Sequence, residues 1–264
     1  MNNYFDIKRF GNYFLYDLRR AKNNYGLSLL LLGIAPVIFF LLYLFYCFLW
    51  KIGVEGMPQS LKILAVIVSL SVVIFGAGAK IYGSVTGKRT GSDYLMLPAS
   101  SLEKWLSMSL MVCVVLPFVL FTLLVASDGL MSLVLPGFYG DRIFGAVNDK
   151  ILRALYRDDI SFNLPAMLYC NWCENLLIFT LGAICFKRSK IAKTFLCLLA
   201  AGMVLSSLSA LIFGTYDGLD WIDAHFNDPV SAAAAINCTL SVIYTVLLGG
   251  LLAGLYYRIR TLQH

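Results

Sequence analysis

Leu27–Trp50 reads LSLLLLGIAPVIFFLLYLFYCFLW, 24 residues without one charged side chain. Crossing a hydrocarbon core about 30 Å thick takes roughly 20 predominantly apolar residues. With no water in lipid, such a segment must satisfy its own backbone hydrogen bonds, so it reads as a helix. The same reading repeats outward from it at Leu61–Tyr82, Trp105–Ala126, Leu164–Phe186, Thr194–Phe213 and Ala232–Tyr257. Trp50, Tyr82, Trp105, Tyr256 and Tyr257 stand at segment ends, where amphipathic rings favour the interface. Over the 264 residues, 59% are hydrophobic and 14% charged. A soluble domain has about 45–50% and about 25%. The expected fold is all-α: one polytopic membrane domain over residues 1–264 with six transmembrane helices. The alternating ten-residue pattern of a membrane barrel is absent.

Charge sets the expected orientation. Fifteen of the 21 Lys and Arg residues fall on one side, in the N-terminal stretch, around Lys80–Lys104, in Lys187–Lys193 and at Arg258 and Arg260. The positive-inside bias makes that side, with both termini, cytoplasmic. The net charge of +6 is this topology signal, and no nucleic-acid partner follows from it. The seven cysteines all fall inside the spans, as expected of reduced thiols acting as small hydrophobes. The first apolar run begins only at Leu27 and lacks a small-residue cleavage site, so a cleaved signal peptide is not expected.

Tyr4–Lys22 is periodic. Ile7, Phe10, Phe14, Leu18 and Ala21 share one helical face and Lys8, Arg9, Asn12, Arg19 and Arg20 the other, the pattern of an interfacial amphipathic helix in contact with membrane lipids. A turn into the first span is expected at Asn23-Asn24-Tyr25-Gly26. The connection Gly83–Lys104 starts Gly-rich and basic, continues through an apolar patch, Tyr94-Leu95-Met96-Leu97, and is broken by Pro98. Ser100-x-x-Glu103 then has capping-box spacing, which starts the third span. On the opposite side, Ser127–Ser161 reads as a loop with a helix around Arg142–Tyr156. An acidic loop ends at Asp228-Pro229, a helix start.

Catalytic chemistry finds little support, and no catalytic, cofactor-binding or metal residue is assigned. With only His225 and His264, a His-x-x-x-His metal site is excluded. Cys170-x-x-Cys173 lacks a second pair. Gly83-Ser-Val-Thr-Gly87-Lys88-Arg89 has three residues between its glycines instead of four and Arg where a phosphate loop needs Ser or Thr. Asp217, Asp220 and Asp223 lack the glycine and glutamate of a calcium loop and read as a solvated acidic surface. Glu174 is the anomaly. It lies mid-span between Asn171 and Asn175, and an intramembrane acid is costly unless protonated, paired or wet. The three form a candidate intramembrane polar site, read either as part of a substrate path or as an interhelical clamp.

The N-terminal amphipathic helix, the six spans and the run Tyr94-Leu95-Met96-Leu97-Pro98-Ala99-Ser100-Ser101-Leu102-Glu103-Lys104 together resemble the permease subunits of ABC-2-type (type V exporter-like) ABC transporters, most closely divergent members from Bacteroidetes. That resemblance implies an exporting permease in the bacterial inner membrane, paired with a separate ABC-type ATP-binding subunit and with a second permease, identical or different. It also implies that Tyr94, Leu95, Met96, Leu97, Pro98 and Glu103, with the N-terminal helix, form the ATPase-coupling surface, and that ATP is hydrolysed in the partner chain. The alternatives are a membrane assembly or scaffold protein without transport, and a membrane-embedded lipid-modifying enzyme.

Overall fold

The computed structural model describes residues 5–53, 56–86, 96–143, 164–213 and 229–263. The described residues are helical and contain no strand. The helices are α1 (Ile7–Gly33), α2 (Ala35–Trp50), α3 (Gln59–Ile81), α4 (Ser101–Leu110), α5 (Leu116–Val134), the single turn α6 (Pro136–Tyr139), α7 (Leu164–Cys185), α8 (Lys190–Phe213) and α9 (Pro229–Gln263). Among the described residues, five helical segments are long and apolar enough to cross a membrane, or six if α1 and α2 form one bent crossing. The chain is a multi-pass membrane protein.

α1 departs from expectation. Asn23–Gly26 is helical, and the chain runs without a turn to Gly33 before bending 47° into α2. The four-residue repeat Tyr13, Asp17, Ala21, Tyr25, Leu29, Gly33 is the buried face and passes straight through the Asn-Gly signals, so packing overrides local turn preference. Of the expected apolar face, Ile7 and Leu18 are exposed, Phe10 and Phe14 are half-buried and Ala21 is buried in the core, so that face lies partly against the protein. The bend has a local cause. Pro36 has no N–H to give and Val37 N–H turns to Ile34 O, 3.0 Å away. Gly33 O is taken up by Ser127 Oγ at 2.8 Å. A Cβ at Gly33 would stand 2.4 Å from Leu123 Cβ, so only glycine admits this contact.

The third crossing is a second interrupted helix. Pro117 lacks the N–H that Cys113 O would accept in an α-helix, and Met111–Val115 relaxes into a π turn between α4 and α5. Cys113 O receives Tyr169 Oη and, at 3.8 Å, Cys173 Sγ from α7. This helix also outruns the expected loop start: Ser127 lies inside α5, which ends at Val134, and its hydroxyl anchors it to α1. The expected helix around Arg142–Tyr156 falls mostly outside the described residues.

Val73, Ala77 and Ile81 of α3, Leu120 and Leu124 of α5, and Leu176, Leu177 and Ile184 of α7 form the core with the buried face of α1. Lipid is as apolar as these side chains, so close packing and hydrogen bonds, rather than hydrophobic transfer, hold the helices together. Gly78 illustrates this: a Cβ there would lie 2.7 Å from Thr180 Cα. By contrast, the apolar windows of α8 and α9 are each only 6% buried. The capping box at Ser100 and the α9 start at Pro229 stand where the sequence puts them.

Candidate functional site

The basic end of the bundle carries the most elaborate polar construction. Asp6 caps α1, its side chain accepting Lys8 N–H at 2.9 Å. Asp6 donates its own N–H to Glu103 Oε1 at 3.0 Å. Ser100 Oγ accepts Glu103 N–H at 3.2 Å, and Ser100 N–H returns to Glu103 Oε2 at 2.9 Å. Arg9 completes the set, its Nη2 2.7 Å from Oε1 and its Nε 2.8 Å from Oε2. Glu103 is fully buried, while Arg9 keeps a 30% exposed side chain. One carboxylate therefore caps the third crossing and latches the first turn of α1 to it. Burial works against the charged carboxylate, but the Arg9 guanidinium and the two backbone N–H groups outweigh it and hold Glu103 below the usual glutamate range.

Asp17, two helical turns beyond Arg9 on α1, is the second buried carboxylate at this end, 1% exposed. Its Oδ2 accepts Tyr82 Oη at 2.8 Å and Ser107 Oγ at 2.9 Å, while its Oδ1 has no partner. Burial raises its carboxyl, against those two hydrogen bonds and Arg20. The glycine-rich start of the Gly83–Lys104 connection forms a 3₁₀ turn over Gly83–Thr86. Lys190 Nζ donates to Gly83 O and Thr86 Oγ1, and Arg20 Nη2 donates to Ser84 Oγ. Gly83–Thr86, the described part of the run that resembles a phosphate cradle at first glance, binds the chain's own cations.

The six residues of the expected coupling surface are placed differently from one another. Tyr94 and Leu95 lie outside the described residues. Met96 is 82% exposed. Leu97 packs against the main core, and Pro98 is exposed. Leu97 and Pro98 face Asp6, Arg9, Asn12 and Tyr16 across a groove of about 430 Å³. Glu103 is the latch itself. Sequence reading gives Glu103 its capping role and, through the resemblance, a place in the coupling surface, but not its partner on α1. The Arg9 contact spans 94 residues and has no local signature.

The intramembrane trio does not form one cluster. Asn175 Nδ2 donates to Asn171 O and Oδ1 at 2.8 and 3.1 Å, a pair along the α7 surface. Asn175 lines a groove of about 550 Å³ between α3, α7 and α8. Glu174 is buried, 7% exposed, and its Oε1 has no hydrogen-bond partner. Among the described residues no His, Cys, Asp and Glu side chains gather into a metal-holding group. Asp217, Asp220, Asp223 and His225 lie outside the described residues. The seven cysteines are free thiols.

The chain matches no protein family, no curated protein and no solved structure.

Proposed function

We propose that this chain is the membrane-spanning permease subunit of an ABC-2-type exporter. It crosses the bacterial inner membrane six times with both termini in the cytoplasm, and works beside a second permease. A separate ATP-binding subunit docks at the groove between α1 and Leu97-Pro98. The observation that carries this reading is the Glu103 latch. A permease without its own nucleotide site must receive work mechanically, through an element stiff enough to pass a displacement into the membrane. The buried four-donor clasp ties the first turn of α1 to the start of the third crossing beside exposed Met96. The functional reading thus rests on rigidity at this end, together with the resemblance of the Tyr94–Lys104 run.

The test is co-purification from native membranes, with the wild type and two variants. Met96→Asp places a charge on an exposed side chain and is expected to leave thermal unfolding in detergent unchanged while weakening ATPase capture by about 2 kcal/mol. Leu97→Asp puts a charge against the core and is expected to lower stability as well. A Met96→Asp protein that stays folded and retains the ATPase removes the coupling role. A wild type that never brings an ATPase with it removes the permease reading altogether.

A further inference from the structure

α7 carries two asparagines on one face in the middle of its crossing. Asn175 stands ten residues before Cys185, the last residue of α7, or about 15 Å of helix rise. That is half of a hydrocarbon core about 30 Å thick. Asn171 lies one turn away and is exposed. Asn175 Nδ2 is spent on Asn171 O and Oδ1, at 2.8 and 3.1 Å. The Asn171 Nδ2 donor group and the Asn175 Oδ1 acceptor are left without a partner among the described residues. At this depth acyl chains offer neither donor nor acceptor, and an unpaired polar group is costly.

The surface beside the pair is also unfilled. Asn175 borders a groove walled by Phe75 of α3 and by Phe195, Leu199 and Gly202 of α8. A Cβ at Gly202 would meet nothing within 4 Å, so the α8 backbone is open there. Leu199 and Met203 beside it are exposed. Small residues let a neighbouring helix approach closely in lipid, and amide hydrogen bonds hold such contacts together.

Whatever covers this face must bring an acceptor and a donor to the same depth. A second copy of the chain does so by symmetry. A two-fold axis along the membrane normal carries each residue to its own depth, and an isologous contact sets a patch against itself. Each copy has one unspent donor group and one unspent acceptor, so two copies close two reciprocal hydrogen bonds. We propose that the α7–α8 face is a homodimer interface, in which Asn171 and Asn175 of two copies pair across a two-fold axis and Gly202 admits the facing helix. The polar pair is incomplete in a single copy. On the permease reading this makes the second permease identical and places it at α7 and α8, but the interface itself requires no ATP-binding subunit.

The test labels the full chain at its N-terminus with donor or acceptor dye, mixes the two in liposomes and follows energy transfer as added lipid dilutes the protein. The wild type is expected to dimerise reversibly. Asn171→Leu combined with Asn175→Leu is expected to raise the dimer dissociation constant about tenfold, for two interhelical hydrogen bonds lost in lipid. Its thermal unfolding in detergent should not fall, and a fall would place the pair inside the fold and overturn the reading. Gly202→Trp, at an open position, is expected to block the approach and weaken the dimer at least as much. A wild type that stays monomeric at every dilution, or a folded variant of either kind that dimerises as tightly as the wild type, overturns the interface. Capture of an ATPase is read separately, so the permease reading stands or falls on its own test.

Discussion

The third crossing ends in a buried carboxylate at both extremities, and the two are held in different ways. At the basic end Glu103 draws its side-chain partner from a remote helix, in a charged pair across 94 residues. At the opposite end Asp128 is clasped by the chain that follows it. Tyr139 Oη donates to Oδ1 at 2.8 Å and Ile143 N–H to Oδ2 at 2.9 Å, across 11 and 15 residues. A cation stands near here too, but Lys62 lies over the Tyr139 ring at 4.1 Å and donates a hydrogen bond to the Asp141 carbonyl oxygen at 2.8 Å. The Asp128 end is therefore a local staple made with neutral donors. The Glu103 end joins two elements, so a displacement of the first turn of α1 reaches the third crossing through it.

The largest expected effect comes from breaking the charged end. Glu103→Ala leaves Arg9, Ser100 N–H and Asp6 N–H without their acceptor and is expected to cost about 3 kcal/mol in unfolding free energy. Arg9 is partly exposed and finds water again, which keeps the figure at the lower end for a broken buried pair. The second signature is positional: amide exchange should accelerate in the first turns of α1 as well as at the start of α4. Thermal unfolding in detergent with exchange mass spectrometry reads both. If exchange rises only around Ser100, the latch is an ordinary helix cap.

The staple should yield less. Asp128→Asn keeps one acceptor oxygen and loses the other, an expected cost of about 1–2 kcal/mol. Tyr139→Phe removes a single hydroxyl and is expected to cost about 1 kcal/mol, while its ring still packs on Phe40 at 5.6 Å. Exchange changes should remain between α5 and residue 143. Spread of the effect to α1 would erase the difference between the two ends.

How far the sequence revealed this architecture depends on the range of the interaction. Ser100-x-x-Glu103 and Pro229 are local signals, and both helices start there. The apolar runs give the helices themselves because lipid leaves the backbone no alternative. The site was half legible. Glu103 stands out as a cap, but Arg9 reads as one more cation on a polar helix face until folding brings α1 across the third crossing. Asn23–Gly26 misleads for the opposite reason: a turn signal gives way to a buried repeat that spans it, and the bend moves to Pro36. Glu174 and Asn171 stand three residues apart and look like one site, yet one is buried and the other exposed.

The smallest effect separates the two carboxylates of the basic end by sign. Glu103 is held below its ordinary value, so the stability it contributes is present above the unfolded pKa, about 4.3, and is lost as pH falls through the folded one. Asp17 is held above its ordinary value by burial. Its protonated form fits the fold better, so its contribution is complete below about 3.9 and is lost as pH rises through the folded pKa. On acidification from pH 7, relief at Asp17 precedes loss at Glu103. Asp17→Asn still offers an acceptor to Tyr82 and Ser107 and carries no charge, so it is expected to remove the early gain and leave the later loss. Glu103→Gln is expected to remove the later loss and leave the early gain. Unfolding midpoints in detergent from pH 7 to pH 3 for wild type and both variants decide it. Two variants with the same pH profile would show that the carboxylates are not held in opposite senses, and the charged latch would lose its distinction from its neutral-donor neighbour.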